Sequence, residues 1–397
     1  MKIKKMLSVV CAVLLISSVP VGRAFARGNF VEYPLVPTDK IVTDLPVCDT
    51  AKSAYLCDYT SGTIIYSKNE NERRPIASMT KIMLLVLAFE KEKAGEFSLD
   101  ETIKVSANAS GMGGSQVFLE TNGEYLAGDL IKSIIVSSAN DSSVAIAERL
   151  FGSEIGAVRA MNEKAEEMGL KNTLFSNCTG LMKPTQYSSA KDVAAMLSAL
   201  IGYEKYFDYS KIYLDEIQHS NNRKTQMTNT NKLVKYYNGC DGGKTGFTNE
   251  AGFCLAATAK RGATRLVSVV IGEADGKKRF ADTSGLFDYG FGNYSSKCVL
   301  ASDKPSDYSV DVKGGKANYV NVVPEKDILV FGLNNTKENV RIVFEPQTVS
   351  APVNIGDGAG KFIVFKDEIK IAEYNAVCFE KIDRMGYIDY IKDITTA

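Results

Sequence analysis

The sequence predicts an α+β domain with an antiparallel sheet, followed by a small all-β domain. Helical and strand patterns are mixed up to about Gly292, whereas only short strand-like runs between turn residues follow Ser296. The length of 397 residues is typical of two or three domains. We therefore expect a mixed domain at 27–296, a β-rich domain at 297–376 and a C-terminal tail at 377–397.

The mixed domain contains, in chain order, a hairpin around Ser61-Gly62, a buried helix, two further helices and two late strands. Apolar runs of the appropriate period, bounded by turn residues, predict each element. The runs are Ala54 to Tyr59 with Thr63 to Tyr66, Ile82 to Phe89, Leu126 to Val136 with Ser142 to Phe151, and Phe253 to Ala259 with Arg265 to Ile271. The sheet is therefore completed late in the chain.

The β-rich domain is predicted from five short apolar runs, whose spacing is typical of small all-β domains. These are Tyr319 to Val323, Ile328 to Leu333, Val340 to Phe344, Phe362 to Phe365 and Ile369 to Tyr374. The tail from Val377 to Ala397 has an apolar half-wheel that favours an amphipathic helix. It has four acids and three bases, which gives anionic lipid no electrostatic attraction. Peripheral membrane contact and packing on the β-rich domain both remain open.

The N-terminal segment has the pattern of a signal peptide. Three lysines lie within residues 2–5, an apolar run follows from Met6 to Ile16, and Ala24-Phe25-Ala26 is a small-x-small cleavage site. The run is short for a bilayer span. We therefore expect residues 1–26 to be removed and the protein to be exported, with a retained N-terminal anchor as the alternative.

Composition excludes several classes of function. The 47 basic and 47 acidic residues leave no net charge, so nucleic-acid binding is not expected. The single histidine, His219, argues against a zinc centre built on several imidazoles. Seven cysteines remain after the predicted cleavage, with no CxxC pair, and are best interpreted as buried hydrophobic residues, although one bridge stays possible.

The first chemical motif is Ser78-Met79-Thr80-Lys81, which follows Pro75 where the buried helix begins. A serine and a lysine three positions apart on a helix share a face, which brings the amine within reach of the hydroxyl. Desolvation by the apolar run that follows would lower the pKa of the Lys81 amine towards that of a useful base. The alternative is an N-cap serine with a surface lysine.

The second motif, Ser138-Ala139-Asn140, lies in the turn between two predicted helices. A hydroxyl and a carboxamide on a rigid turn can relay a proton and hold a substrate amide. The structural alternative is an N-cap formed by Asn140, Asp141 or Ser142.

The third motif is Lys244-Thr245-Gly246, preceded by Gly242-Gly243 and followed by Phe247. Glycines on both sides of a lysine suggest a close approach to the backbone, and a fixed cation beside a hydroxyl suits a carboxylate. The alternative is a glycine-rich turn with a solvated lysine.

Together and in this order, the three motifs are those of serine β-lactamases and penicillin-binding proteins. The chain resembles the D-alanyl-D-alanine carboxypeptidases, which are low-molecular-mass penicillin-binding proteins. The resemblance extends over nearly the whole chain after residue 26, and implies a penicillin-binding or serine β-lactamase-like transpeptidase domain. It is carried by Pro75 to Lys81, Gly113-Gly114-Ser115, Ser138 to Glu148, Asn177 to Leu181 and Gly243 to Arg261.

The resemblance implies a role for each motif residue in acyl transfer. Ser78 would be the acylated nucleophile and Lys81 would take its proton. Ser138 would pass a proton to the departing D-alanine, while Asn140 would hold Lys81 and the substrate amide. The remaining implied residues bind substrate. The terminal carboxylate would face Lys244 and Thr245 of the Lys-Thr-Gly motif, which ends at Gly246. It would also face Arg279, which is matched by position alone. The backbone N–H groups of Ser78 and Phe247 would form the oxyanion hole.

The implied substrate is a peptidoglycan stem peptide ending in D-Ala-D-Ala, with β-lactam antibiotics as inhibitors that acylate the same serine. No metal or organic cofactor is expected, and the implied location is the cell wall or the outer face of the cytoplasmic membrane. Three positions depart from the family pattern, with Phe247 in place of histidine, Ala139 in place of glycine and Cys178 in place of proline. The first two are compatible with the implied roles, and the sequence offers no physical reason for the third.

Three alternatives use the same residues. A class A β-lactamase would add a glutamate in a Glu-x-x-x-Asn element, which is not found at a plausible place downstream of Asn140, and the second domain is foreign to those enzymes. A D,D-endopeptidase that cuts cross-links has the same chemistry and cannot be separated by motif. An inactive wall-binding module would predict loss of Ser78, Lys81 or Lys244, and all three are present.

Overall fold

The computed structural model describes residues 45–220, 222–336 and 339–387. The predicted signal segment, 1–26, and residues 388–397 of the predicted tail helix lie outside the described residues. The helices are α1 (Lys81–Lys93), α2 (Ala107–Ser110), α3 (Ala127–Val136), α4 (Asn140–Phe151), α5 (Glu154–Glu167), α6 (Ala190–Leu200), α7 (Tyr206–Ser210), α8 (Leu233–Tyr236) and α9 (Lys278–Asn293).

The strands form one central sheet, two small hairpins and the sheets of the β-rich domain. In chain order they are β1 (Ser53–Asp58), β2 (Ile64–Lys68), β3 (Thr102–Lys104), β4 (Glu124–Leu126), β5 (Leu214–Gln218), β6 (Lys224–Thr228), β7 (Cys240–Thr248), β8 (Gly252–Arg261), β9 (Thr264–Glu273), β10 (Tyr294–Leu300), β11 (Ser309–Lys313), β12 (Tyr319–Pro324), β13 (Ile328–Leu333), β14 (Val340–Pro346), β15 (Val349–Ser350), β16 (Gly358–Lys366) and β17 (Ile369–Cys378).

The central sheet is antiparallel, with the strand order β2-β1-β9-β8-β7. Its first hairpin and its last three strands come from opposite ends of the domain, so β1 pairs with β9 across more than 200 residues. This confirms the predicted α+β class and the late completion of the sheet. It also leaves β7, which carries Lys244-Thr245-Gly246, as an edge strand.

Both faces of this sheet are covered, which explains why β9 is apolar along its length. Successive side chains of a strand point to opposite faces. Val267 and Val269 of β9 therefore pack in the core cluster that contains α1 and α6, whereas Leu266 and Val270 pack with Leu286 of α9 on the other face.

Helix α1 lies at the centre of the domain. Its first nine residues, Lys81 to Phe89, are all buried, and the exposed Glu-Lys run begins only as the helix emerges. This confirms the buried helix predicted from the apolar run. A 3₁₀ turn, Ala77–Thr80, precedes α1 and contains Ser78.

The β-rich domain is organised around a six-stranded sheet in the order β14-β16-β17-β12-β11-β15, with β10 and β13 as a separate pair. All five predicted strands are present. Three others, β10, β11 and β15, were not predicted, and β10 is mostly exposed, which leaves it little apolar signal. Two boundaries also differ from the prediction. The domain's first strand begins at Tyr294, and β17 continues to Cys378, so the tail expected from Val377 starts later.

Candidate active site

Four segments converge at the edge of the central sheet. They are the 3₁₀ turn with the start of α1, the turn between α3 and α4, the loop 177–181, and strand β7. The hydrogen bonds between them connect residues 59 to 101 positions apart in the sequence. The structure therefore brings the first two predicted motifs into direct contact and places the third beside them.

Lys81 is the centre of this cluster. Its Nζ donates to Ser78 Oγ at 3.0 Å, Asn140 Oδ1 at 2.7 Å and the carbonyl oxygen of Thr179 at 2.5 Å. Ser78 itself is half-buried, and its Oγ lies 3.4 Å from the same carbonyl. The predicted pairing of serine and lysine is present, and the alternative of a surface lysine is wrong because Lys81 is fully buried.

Burial lowers the pKa of Lys81 to about 7, although the nearby Cys178 and Asp141 oppose this shift. The ammonium form has lost its water shell, and no carboxylate pairs directly with it. An amine with this pKa is substantially neutral at pH 7 and can accept a proton.

Ser138 occupies a strained position in the second motif. It has a φ of +64°, a backbone conformation that costs free energy for a residue with a Cβ. Its hydroxyl is buried and has no hydrogen-bond partner among the described residues. A buried hydroxyl without a partner is costly, and such groups occur at sites where a ligand supplies the partner.

Asn140 is the first residue of α4, and its side chain links two segments. Its Oδ1 accepts from Lys81, while its Nδ2 donates to the carbonyl of Gly113 at 2.7 Å. Gly114 leaves the space for this, since a Cβ there would lie 2.8 Å from Asn140 Nδ2. The N-cap alternative is wrong, because the cap position is Ala139 and no side chain caps the helix.

Lys244 is buried at the edge of the sheet, so the alternative of a solvated lysine is also wrong. In the part of the chain that the structure describes, its Nζ donates to a single acceptor, the carbonyl of Thr245, at 3.2 Å. Burial lowers the pKa of Lys244 well below its usual value, and the charges of Lys81 and Arg279 lower it further. Three basic side chains thus lie near one another, and no acidic side chain of the described residues is bonded to Lys244. A bound anion would favour their protonated forms, so the cluster has the electrostatic pattern of an anion site.

The close approach predicted at the glycines occurs within the protein itself. A Cβ on Gly246 would lie 2.5 Å from the carbonyl oxygen of Ile76, which precedes the Ser78 turn. Strand β7 can therefore lie directly against that turn. Phe247 is half-exposed and its ring stacks on Phe253 with centroids 4.2 Å apart.

Arg279 lies in the first turn of α9, beside the same strand. Its Nη1 donates to the carbonyls of Gly246 at 3.1 Å and Cys254 at 3.3 Å, and its Nε is buried without a partner. Arg279 is half-buried against the Lys-Thr-Gly strand and not a freely solvated surface arginine, and its carboxylate-binding role stays a prediction.

Thr179 was not predicted as a site residue, although its carbonyl contacts both Lys81 and Ser78. The loop that carries it is shaped by Asn177, whose Oδ1 accepts from the N–H groups of Thr179 and Gly180. Gly180 has a φ of +84°, and a Cβ there would lie 2.0 Å from the carbonyl oxygen of Ala77. The motif Asn-x-x-Gly was the available signal, but a backbone carbonyl carries no sequence signature.

The histidine and the cysteines lie apart from this chemistry. Both ring nitrogens of His219 are bonded, to Tyr125 Oη at 2.8 Å and Thr225 Oγ1 at 2.9 Å, as expected of a structural histidine. The seven cysteines of the described residues are all free, and all except Cys298 are buried. The hydrophobic interpretation is therefore confirmed for those six.

An antiparallel sheet covered by helices, with serine, lysine and asparagine beside its edge strand, defines the fold shared by penicillin-binding proteins and serine β-lactamases. A family model described as D-alanyl-D-alanine carboxypeptidase matches residues 42–275, more than half of the chain. A second, described as the C-terminal domain of penicillin-binding protein 5, matches residues 294–384. The chain belongs to the D-alanyl-D-alanine carboxypeptidase family.

Individual relatives support this assignment. The chain is 37% identical to D-alanyl-D-alanine carboxypeptidase DacF of Bacillus subtilis over 86% of its own length and 88% of the relative's. It is 32% identical to a D-alanyl-D-alanine endopeptidase of Escherichia coli over 59% of its length and 75% of the relative's. Among solved structures, penicillin-binding protein 5 of Haemophilus influenzae matches with a TM-score of 0.66 and 29% identity, covering 86% of this chain and 100% of that one.

Proposed function

We propose that this protein removes the C-terminal D-alanine from peptidoglycan stem peptides through an acyl-enzyme on Ser78. The observation that carries the proposal is the environment of Lys81. A neutral amine has two N–H bonds and one lone pair, and Lys81 has two fixed acceptors, Asn140 Oδ1 and the Thr179 carbonyl, besides Ser78 Oγ. In the neutral amine, the two acceptors orient the two N–H bonds. The lone pair then takes the place of the third N–H bond of the ammonium form and points to the serine hydroxyl.

In the acylation step, Ser78 Oγ attacks the carbonyl carbon of the penultimate D-alanine while its proton passes to Lys81 Nζ. Electrons move onto the carbonyl oxygen, which the N–H groups of Ser78 and Phe247 stabilise. The edge position of β7 supports the second donor, because an edge strand leaves alternate N–H groups without a strand partner.

Collapse of this intermediate breaks the C–N bond, and the amine of the departing D-alanine takes up a proton. We assign its delivery to Ser138, whose buried hydroxyl lacks a partner among the described residues and is therefore available to the substrate. Ser138 gives its proton to the amine and recovers one from the Lys81 ammonium, which returns Lys81 to the neutral amine. Water then releases the shortened stem peptide from Ser78 by the reverse sequence of proton transfers.

The substrate's terminal carboxylate is assigned to Lys244, Thr245 and Arg279. The clustered basic groups favour a bound negative charge, which would in turn stabilise the protonated form of Lys244, and the buried Arg279 Nε remains available for a hydrogen bond. Gly246 contributes by letting the strand approach the nucleophile. A β-lactam, which also carries a carboxylate beside a reactive amide, would acylate Ser78 in the same way.

We place this activity outside the cytoplasm, where peptidoglycan lies. The predicted signal segment supports the proposal but lies outside the described residues. Within those residues, no helix is both long enough and apolar enough to cross a membrane. Peripheral contact through the tail stays a prediction, because residues 388–397 of the predicted helix lie outside the described residues.

The proposal is tested by intact-mass spectrometry of the protein with a penicillin over time, beside Ser78→Ala. We expect a long-lived adduct on the native protein and none on Ser78→Ala. Ser137→Ala is the matched control, since this neighbouring serine bonds only its own helix. A short-lived adduct with drug hydrolysis would favour a serine β-lactamase, and no adduct on the native protein would favour an inactive wall-binding module.

The similarity to an E. coli endopeptidase supports a second candidate, cleavage of D-alanyl cross-links, which uses the same acyl-enzyme. Incubation with purified monomeric pentapeptide and with a cross-linked dimer separates the two. Release of free D-alanine alone supports carboxypeptidase activity, whereas conversion of dimer to monomers supports endopeptidase activity.

A further inference from the structure

The loop that supplies the Thr179 carbonyl is tethered from outside by a side chain with no assigned function. Glu154 is the first residue of α5, and its Oε1 accepts from the backbone N–H of Cys178 at 3.2 Å and from the Cys178 thiol at 3.4 Å. Cys178 is fully buried, and Glu154 covers its N–H and thiol groups from the solvent side. The tether therefore joins α5 to the residue immediately before Thr179.

This contact gives a physical reason for Cys178, where the sequence offered none. Proline, the usual residue at this position in the family, has no N–H and could not donate to Glu154. Proline restricts its own φ, whereas cysteine leaves that torsion free. A hydrogen bond to Glu154 supplies from outside the restraint that the proline ring would supply covalently.

The other anchor of the loop lies on its opposite side. Gln186 Oε1 accepts from the N–H of Asn177 at 3.0 Å, and its Nε2 donates to Thr80 Oγ1 at 3.3 Å, which connects the loop to the turn before α1. Glu154 and Gln186 thus hold consecutive N–H groups, those of Cys178 and Asn177, from two different elements.

We infer that Glu154 is a positioning residue for the Ser78–Lys81 pair, acting through the Cys178 N–H on the Thr179 carbonyl. The inference rests on the proposed function, in which that carbonyl helps to direct the Lys81 lone pair at Ser78. A carbonyl that moves away leaves the amine free to rotate. Ser78 would then be activated less often, although the substrate would still bind.

The test is the kinetics of penicillin acylation, followed by intact mass, which separates the binding constant of the first complex from the rate of acylation within it. For Glu154→Ala we expect the acylation rate to fall about tenfold with the binding constant unchanged, as for a misplaced catalytic group. Glu154→Gln keeps an acceptor oxygen and should restore the rate to within about threefold. Glu166→Ala removes an exposed carboxylate from the same helix and should match the native protein.

The Cys178→Pro background isolates the tether itself. Since proline cannot donate, Glu154→Ala should have less than a twofold effect on acylation in that background, which is the non-additivity expected of directly coupled residues. Rates are taken from the fraction that becomes acylated, so that partial unfolding of a variant does not imitate a slower step, and the Gln rescue remains decisive if Cys178→Pro does not fold.

Three outcomes would overturn the inference. They are a Glu154→Ala rate within twofold of native, an equal loss in Glu166→Ala, and a loss that appears only in the binding constant. These are distinct from failure of the proposed function, in which the native protein itself would form no adduct on Ser78.

Discussion

The two domains bury different kinds of side chain. In the described part of the chain, every buried polar or charged residue lies at or before Thr283, including Lys81, Lys244 and the Glu273–Asp282 pair. From Tyr294 onward, the buried side chains are hydrophobic, as in the cluster around Phe362. Burying a polar group costs free energy unless it is hydrogen-bonded. The first domain buries polar groups, at a cost in free energy, and these include the reactive side chains of the site. The described interior of the second domain buries hydrophobic side chains.

The largest expected effect is on stability and concerns the β-rich domain. Phe362 is fully buried between Tyr308 and Phe344, with ring centroids 5.2 Å and 4.9 Å away. We expect Phe362→Ala to lower the free energy of unfolding of this domain by about 3–5 kcal/mol. Chemical denaturation followed by circular dichroism measures the loss.

Phe365→Ala is the control, because Phe365 lies on the same strand but on the opposite, half-exposed face, and should cost less. Penicillin acylation of folded Phe362→Ala protein should stay within about twofold of native, since no polar group of the site is disturbed. A tenfold loss of acylation would contradict the comparison by showing that packing of the second domain controls the first.

The second prediction concerns Lys244, a buried cation whose removal should affect function and not stability. We expect Lys244→Ala to lower kcat/KM for a substrate with a free terminal carboxylate about 100-fold, and for its amidated analogue much less. The melting temperature should stay the same or rise, because burial and the neighbouring charges of Lys81 and Arg279 penalise the lysine in the folded state.

Lys260→Ala on the neighbouring strand removes an exposed lysine and provides the control. An equal fall in kcat/KM for the two substrates would contradict the role of Lys244 in binding the carboxylate. A large fall in melting temperature for Lys244→Ala would mean that the buried cation stabilises the fold, contrary to the comparison of the domains.

The elements that the sequence predicts correctly are those with a local pattern of apolar or reactive residues. The apolar run after Lys81, the spacing of Ser78 and Lys81, and the apolar run Phe362 to Phe365 in β16 each reflect one element, and the structure contains them. The roles assigned to the site residues remain predictions, but their proximity could be expected once the three motifs were taken together.

The features of the site that the sequence did not predict depend on contacts between segments that are distant in the chain. The Thr179 carbonyl meets Lys81 across 98 residues, and its loop is shaped by the tight approach of Gly180 to Ala77. The positive φ of Ser138 has no local cause in a Ser-Ala-Asn sequence. Such features arise from tertiary packing, to which a single sequence gives no direct access. Strand β10 was missed because it buries only Tyr294, and β11 because its alternation of buried Val310 and Val312 with exposed residues extends over only five positions.

The smallest expected effect concerns two buried acids, Glu273 at the end of β9 and Asp282 in α9. Burial, together with a hydrogen bond to Asp282, raises the pKa of Glu273 from its ordinary 4.5 to about 7. The folded protein therefore keeps a proton that the unfolded chain loses above pH 4.5. This stabilisation is complete below that pH and is lost as the pH rises through about 7.

Glu273→Gln mimics the protonated acid at every pH and can still accept from Thr50, whose Oγ1 lies 2.6 Å from Glu273 Oε2. We expect the melting temperature of the native protein to fall by about 2–4 °C more than that of the variant between pH 5 and pH 8. Glu345→Gln, an exposed glutamate of the β-rich domain, should leave the native pH dependence unchanged. The melting temperatures of Glu273→Gln and the native protein could instead fall in parallel between pH 5 and pH 8. In that case Glu273 keeps no extra proton in the folded state, and this buried pair adds no more pH dependence than the apolar interior of the second domain.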